Sequence, residues 1–366
     1  GYIKRTPLET FRAQRRGGKG RAGMATKDED VVTNLFVTST HTPVLFFSTA
    51  GKVYRLKVWR LPEGGPATRG RPMVNLLPLA QGETISTVLP LPEDEAEWGK
   101  LHVMFATAKG NVRRNSMDAF TNVPSNGKIA MKFEGEDEDD RLIGVALLGE
   151  NDDVLLATRQ GKAIRFAGDE VREFQSRNST GVRGMKLAKN DDEVISLSIL
   201  HRGGMRDQEE REDYLRFAPW KSEKEGSPKM TDERFAELAG REQFILTVCA
   251  NGYGKLSSAY EYRRTGRGGQ GITNIDNIRR NGPVVASFPA TRAHQLMLVT
   301  DQAKLIRMGL DTLRVIGRGS AGVRLFDVAE GEHVVSAALI EESEEGAPDE
   351  DAAAEVETAA GETGGE

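Results

Sequence analysis

The feature that most constrains this chain is a unit that returns six times. Its complete copies are Leu45-Phe-Phe-Ser-Thr-Ala-Gly51-Lys-Val-Tyr-Arg55, Met104 to Arg114 around Gly110, Leu155 to Arg165 around Gly161, Leu246 to Leu256 around Gly254, and Met297 to Arg307 around Ala303. Gly1-Tyr-Ile-Lys-Arg5 is read as the second half of a first copy, which points to a fragment of a longer chain. An apolar run, a tight turn and an alternating run make a β-hairpin. The turn positions 1, 51, 110, 161, 254 and 303 are spaced by 50, 59, 51, 93 and 49 residues. The long step shrinks to about 51 when an inserted segment from Arg202 to Gln243 is excised, and a period near 50 belongs to propeller-like arrays. The fourth residue after the turn is Arg5, Arg55, Arg114, Arg165 and Arg307, with Ser258 departing in the fifth copy.

A second, glycine-rich element follows each turn by 17 to 20 residues. The copies contain Arg15-Arg-Gly-Gly-Lys-Gly20, Thr68-Arg-Gly70-Arg71, Ser125-Asn-Gly127-Lys128, Ser179-Thr-Gly181-Val-Arg183, Thr265-Gly-Arg267-Gly-Gly-Gln-Gly271 and Gly317-Arg-Gly-Ser-Ala-Gly322-Val-Arg324. They read as connectors between units. Three of them contain Gly-x-Gly-x-x-Gly, at 18–23, 266–271 and 317–322. A dinucleotide site needs a following helix and an acid about 20 residues on, but Ile272-Thr-Asn-Ile275 reads as a short strand and Thr291 stands at the acid's place. The motif is therefore read as punctuation of the fold. Nor is Gly17-Gly-Lys-Gly-Arg21 a P-loop, since the hydroxyl residue after lysine is missing.

The most basic connector is Gln14-Arg15-Arg16-Gly17-Gly18-Lys19-Gly20. Glycine permits close backbone approach and the cations supply phosphate donors, so the stretch suits a polyanion. The formal charge of −5 hides this bias. Residues 329–366 hold 13 carboxylates and no Lys or Arg, leaving 50 cations against 42 acids before them. Without residues 202–242 the balance is 41 to 31, a surplus of 10 positive charges on the repeats. A basic body with an acidic tail fits a nucleic-acid binder.

Residue for residue, Gln14 to Gly20 resembles the signature box of the DNA gyrase A C-terminal domain. The resemblance runs from Gly1 to about Ile340, omitting the insertion and the tail. It implies an all-β fold, a six-bladed β-pinwheel over residues 1–340 in which neighbouring blades exchange strands. It implies a non-catalytic module that wraps double-stranded DNA with positive handedness for negative supercoiling. The box would complete the wrap, with Arg15, Arg16 and Lys19 as its principal contacts. The cleavage tyrosine would lie in the N-terminal region of the same polypeptide. ATP and Mg²⁺ would act elsewhere in a heterotetramer with the ATPase subunit, leaving no cofactor here. The location would be cytoplasmic, on the nucleoid. A topoisomerase IV-type bender and a propeller scaffold for proteins are the alternatives.

Wrapping needs phosphate contacts along an arc, because bending 20–30 bp by 40–90° costs on the order of 1–6 kcal/mol. Candidates near the turns are Lys52, Arg55, Lys57, Arg113, Arg114, Lys162, Arg165, Lys304 and Arg307. Those of the connectors are Arg21, Arg69, Arg71, Lys128, Arg183, Arg267 and Arg324. Nothing indicates readout of base edges. Histidines 41, 102, 201, 294 and 333 lack metal-ligand spacing, and the single cysteine, Cys249, reads as a buried thiol. No paired carboxylates or activated nucleophile suggest catalysis. In the insertion, Asp207 to Phe217 and Thr231 to Leu238 read as two short helices, the second capped by Thr231 with Phe235 and Leu238 on one face. From Glu341 to Glu366 the chain is acidic and aperiodic, and expected to be disordered.

Overall fold

The computed structural model describes residues 1–7, 10, 21–22, 37–48, 50–65, 68–92, 94–188, 191–222, 224–276 and 278–340. The signature box and the acidic tail lie outside the described residues.

Each complete repeat builds a hairpin whose first strand is buried on both faces. Pro43–Ser48, Asp152–Thr158 and Gln295–Thr300 have every residue buried. Such strands read as continuous apolar runs because a neighbouring blade covers each face. Alternate residues face alternate neighbours. Val44 and Phe46 pack with Ile3 of blade one. Leu45 and Phe47 pack with Val103 and Phe105 of blade three. The Phe47 and Phe105 rings meet edge-on at 5.6 Å. The core is thus a series of layers between blades.

The hairpins close on Gly51, Gly110, Gly161, Gly252 and Ala303, all with positive φ. The fifth turn glycine is Gly252, whereas the repeat pattern pointed to Gly254. Gly254 pairs with Val248 inside the ladder. With that register the fourth residue after the turn is Leu256 rather than Ser258.

In blades two to six a third strand joins the first on the side away from the second. These strands are Ile85–Pro90, Leu142–Leu148, Val194–His201, Val284–Ala290 and Val334–Ile340, and those of successive blades lie side by side, forming the hub. The fourth strand, at the opposite edge of each sheet, is two residues long and comes from the next repeat's connector. Lys128–Ile129 joins blade two, Val182–Arg183 blade three, Ile272–Thr273 blade four and Val323–Arg324 blade five. Arg71–Pro72 pairs with Tyr2–Ile3 of blade one. The first repeat's Arg21–Ala22 pairs with Lys304–Leu305 of blade six, so the exchange closes into a ring. This is the six-bladed, strand-exchanged, all-β pinwheel.

The connector glycines explain how the exchanged strand enters. Gly70, Gly127, Gly181, Gly271 and Gly322 precede it with positive φ. A Cβ on Gly181 would stand 2.1 Å from the Val112 carbonyl oxygen, and one on Gly271 2.3 Å from that of Ala163. Only glycine lets the incoming chain lie this flat on the preceding blade.

Helices α1 (Gln208–Phe217) and α2 (Asp232–Arg241) stand between blades four and five in sequence. Asp207 caps α1, accepting from the Glu210 N–H, and Thr231 caps α2, accepting from that of Arg234. Tyr214 and Leu238 are buried against Tyr260 of blade five. The carboxylate of Glu242 ties the unit down, accepting from the Tyr214 hydroxyl, the Trp220 indole and the Ser258 hydroxyl. His201, where the segment begins, pairs with Asp152, at the end of the blade-four sheet away from its turn.

Candidate nucleic-acid interface

The ladder registers bring one recurring station to the outer edge of the blades. The first residue after each turn stands opposite the second residue of the exchanged strand. These cross-strand pairs are Tyr2–Pro72, Lys52–Ile129, Asn111–Arg183, Lys162–Thr273, Tyr253–Arg324 and Lys304–Ala22. Directly opposed residues share a face of the sheet. Five of the six stations thus hold a cation: Lys52, Arg183, Lys162, Arg324 and Lys304. At the sixth, the guanidinium of Arg69 stacks 4.1 Å over the Tyr2 ring. The strand supplying the charge varies, which hides the station from any single-column reading of the repeats.

Arg183 and Arg324 are exposed, as are Lys57 and Arg71 elsewhere on the outer strands. Lys162 reaches the Thr273 hydroxyl at 3.4 Å and lines a cleft with Thr273, Asp276 and Arg318. Lys304 donates to the buried carboxylate of Glu332 at 2.7 Å, with two fifths of its side chain exposed. Arg324 is held by Asp327 and by the Tyr253 hydroxyl, to which it donates at 3.0 Å.

Other cations singled out in the sequence are used internally. Arg113 is fully buried, donating to Asn115 Oδ1 and to the carbonyls of Arg177, Ser179 and Ala130. Burial pushes its pKa down to about 10, helped by the nearby Arg177. Arg165 is 8% exposed and donates to Asp153 at 2.9 Å and to the Ala259 carbonyl. These two are cations of the blade interior, a correction to their place among rim candidates. Lys128 turns inward to the carbonyls of Ala119 and Asn122, and burial lowers its pKa. Arg55 bridges Glu95 and the Thr121 carbonyl beneath Trp98. Arg307 donates to Gln295, and Arg114 is half-buried on a strand bridged to Glu173. The recurring arginine four places after the turn is therefore largely a brace between units. Arg267, though exposed, donates to the carbonyls of Glu170 and Arg183, and Arg318 repeats this with Glu261 and Thr273. Arg21 lies on the ring-closing strand. Residues Gln14 to Gly20 are outside the described residues.

The sequence pattern missed a set of connector anchors three places after the turn. Lys4 donates to the carbonyls of Gly65 and Thr68, Arg113 to those of Arg177 and Ser179, and buried Lys255 to those of Gly317, Arg318 and Ser320. Each cation of an odd blade thus grips the next connector, while blades two, four and six carry Tyr54, Ile164 and Ile306 there. Correct placement of the fifth turn would have exposed this alternation.

The station set is chemically a ring of guanidinium and ammonium donors, suited to charge-assisted bonds with phosphate oxygens. Cys249 is buried, and burial raises its pKa to about 12. Among the described residues no group of His, Cys, Asp and Glu is arranged to hold a metal, and no helix is long and apolar enough to cross a membrane.

Comparison with known proteins agrees with this architecture. The family model "DNA gyrase C-terminal domain, beta-propeller" matches residues 1–39, 42–92, 101–148, 152–201, 243–291 and 294–341, one segment per blade. It passes over the helical segment between 201 and 243. The DNA gyrase A protein of Rickettsia bellii is 50% identical over 353 residues, covering 94% of this chain and 38% of that protein. Its Salmonella typhimurium counterpart is 39% identical, covering 92% of this chain and 33% of its own length. This chain therefore spans well under half of each relative. A solved DNA gyrase A C-terminal domain superposes with a TM-score of 0.72 at 20% identity, covering 93% of this chain and 96% of that one. The C-terminal domain of a DNA topoisomerase IV superposes at 0.62 and 19% identity, covering 93% and 90%. Six matched segments, six exchanged blades and close relatives along nearly the whole length lead to one conclusion: the chain belongs to the DNA gyrase C-terminal domain family.

Proposed function

We propose that this domain binds double-stranded DNA along its outer edge, without sequence readout, and wraps it with positive handedness as the DNA-presenting part of a gyrase. The observation that carries this reading is the recurrence of a cation, from either strand, at the outermost ladder pair of the blades. A repeating series of charges around a ring matches a backbone that repeats its charge along a curve. The box, on the connector just before the ring-closing strand Arg21–Ala22, is assigned to completing the wrap. Arg15, Arg16 and Lys19 are its principal contacts. The module is non-catalytic in this reading. Its partners are DNA, the ATPase subunit, and the N-terminal cleavage region of the same polypeptide, in the cytoplasm, and ATP and Mg²⁺ act in those other parts.

The test is topological. The domain is incubated with nicked circular DNA, the nick is ligated, and the linking-number shift is read against salt. A positive shift that fades with salt supports the reading. Tight binding with no shift favours a bender of the topoisomerase IV type. Salt-insensitive behaviour without DNA binding favours a protein scaffold.

A further inference from the structure

The fifth blade's station is built on a tyrosine, as is that of blade one, but two arginines rather than one lie over the ring. Its first residue after the turn is Tyr253, and it is followed by a short helix, α3 (Ile278–Asn281), between connector and hub strand. Asn281 is fully buried and donates to the carbonyls of Asp276 and Ala321, pinning α3 to the incoming connector. Asn251 in the hairpin turn donates to the Arg280 carbonyl from the other side. Arg280 is exposed, yet its guanidinium is fixed. Nε donates to Asn281 at 2.9 Å, one terminal nitrogen to the carbonyls of Ala321 and Gly322, and Cζ lies 4.4 Å from the Tyr253 ring centroid. Arg324 lies 5.5 Å from the same centroid and donates to the Tyr253 hydroxyl and, through its other terminal nitrogen, to the Asp327 carboxylate. Arg279 is exposed beside them.

We propose that Arg280 and Arg324, mounted on Tyr253, form a pre-organised phosphate clamp that holds the DNA backbone more firmly than the single-cation stations. The clamp rests on the DNA-binding reading above. The other Arg280 terminal nitrogen and the Arg324 Nε take no part in the bonds described, leaving N–H donors for phosphate oxygens. Stacking and carbonyl contacts have already frozen the rotamers that a solvated lysine would have to give up on binding. Each guanidinium presents its remaining N–H donor from a fixed plane, which a freely rotating ammonium does not.

The experiment compares salt dependence of DNA binding for the intact domain, Arg280→Gln/Arg324→Gln, and a charge-matched control, Arg263→Gln/Arg314→Gln, at the end of the hairpins away from the turns. Removing two phosphate contacts should reduce the slope of log K against log salt by about 1.8, at about 0.9 per contact. The control should leave the slope unchanged. Arg280→Lys keeps the charge and loses the stacked, fixed plane, and should weaken binding several-fold with little change in slope. Wild-type affinity in Arg280→Lys, or equal slope losses in the clamp and control pairs, would overturn the clamp while leaving DNA binding intact. Absence of salt-dependent binding by the unmodified domain would instead remove the reading on which it rests.

Discussion

Arg21 stands opposite Leu305 in an antiparallel pair that joins the first repeat to the last blade. Every other exchange links consecutive repeats, so among the described residues this pair is the one that turns a row of blades into a ring. The hub strand Val334–Ile340 and the hairpin of blade six depend on their own repeat, but the outer edge Lys304–Gly309 depends on residues from the start of the chain. Deleting residues 1–22 should leave that edge unpaired. Hydrogen exchange should show lost amide protection around Lys304 and Leu305. The corresponding edge of Lys162–Ala167, covered by Ile272–Thr273, should keep its protection and serves as the internal reference.

Asp153 and Arg165 separate structural from ligand-binding cations. The carboxylate accepts from Arg165 at 2.9 Å and from Arg202 at 3.1 Å, with its side chain 2% exposed. Asp153→Ala strands the buried guanidinium, and breaking a buried pair in this way costs about 3–5 kcal/mol. Urea unfolding should show that loss. The salt slope of DNA binding by the folded variant should match the parent, since neither group faces the outer edge.

These two pairs show what the chain reveals before folding and what it withholds. The hairpins were legible because a doubly covered strand must be apolar throughout, as in Val44-Leu-Phe-Phe47. The strand exchange was legible only through the family resemblance, because its seams are two residues long, too short for any periodicity to register. The turn of blade five was misplaced since Asn251-Gly-Tyr-Gly254 offers two glycines, and only the ladder shows which has positive φ. The cations were the hardest. Arg113 and Arg114 are neighbours with the same chemistry, yet one is sealed beneath a connector and the other only half-buried. Alternation cannot sort them when both faces of a sheet are covered. What separates them is the neighbouring repeat's carbonyls, which sequence does not place.

The turn of blade six carries a cost that the others avoid. Ala303 adopts φ 58°, while Gly51, Gly110, Gly161 and Gly252 hold the same place in their hairpins. A side chain in the left-handed region costs roughly 1–2 kcal/mol. Ala303→Gly relieves this but gives the unfolded chain more freedom, so a net gain of up to about 1 kcal/mol is expected. The reverse change in blade two should be severe. A Cβ on Gly51 would stand 1.8 Å from the Met131 carbonyl oxygen, so Gly51→Ala must displace the incoming connector as well as strain the turn. Thermal unfolding of the two variants should move in opposite directions.

Lys255 makes stability depend on pH in a direction opposite to that of an ordinary surface lysine pair. Its ammonium is fully buried, and its three donors meet the carbonyls of Gly317, Arg318 and Ser320, with no carboxylate in contact. Burial outweighs those acceptors and pushes the pKa down to about 7, against 10.5 for a free lysine. Between these values the unfolded chain holds a proton that the folded chain has released. Stability should therefore rise as pH increases from about 7 towards 10, by up to about 1.4 kcal/mol per pH unit, and stay at its lower level below about 7, where both states hold the proton. Urea midpoints measured across that range should show the rise. Lys255→Met removes the titrating group and should flatten it. Lys255→Arg should also be flat, because a guanidinium stays protonated throughout, but at lower stability, since the charge can no longer be shed. A rise that persists in both variants would place the titrating group elsewhere.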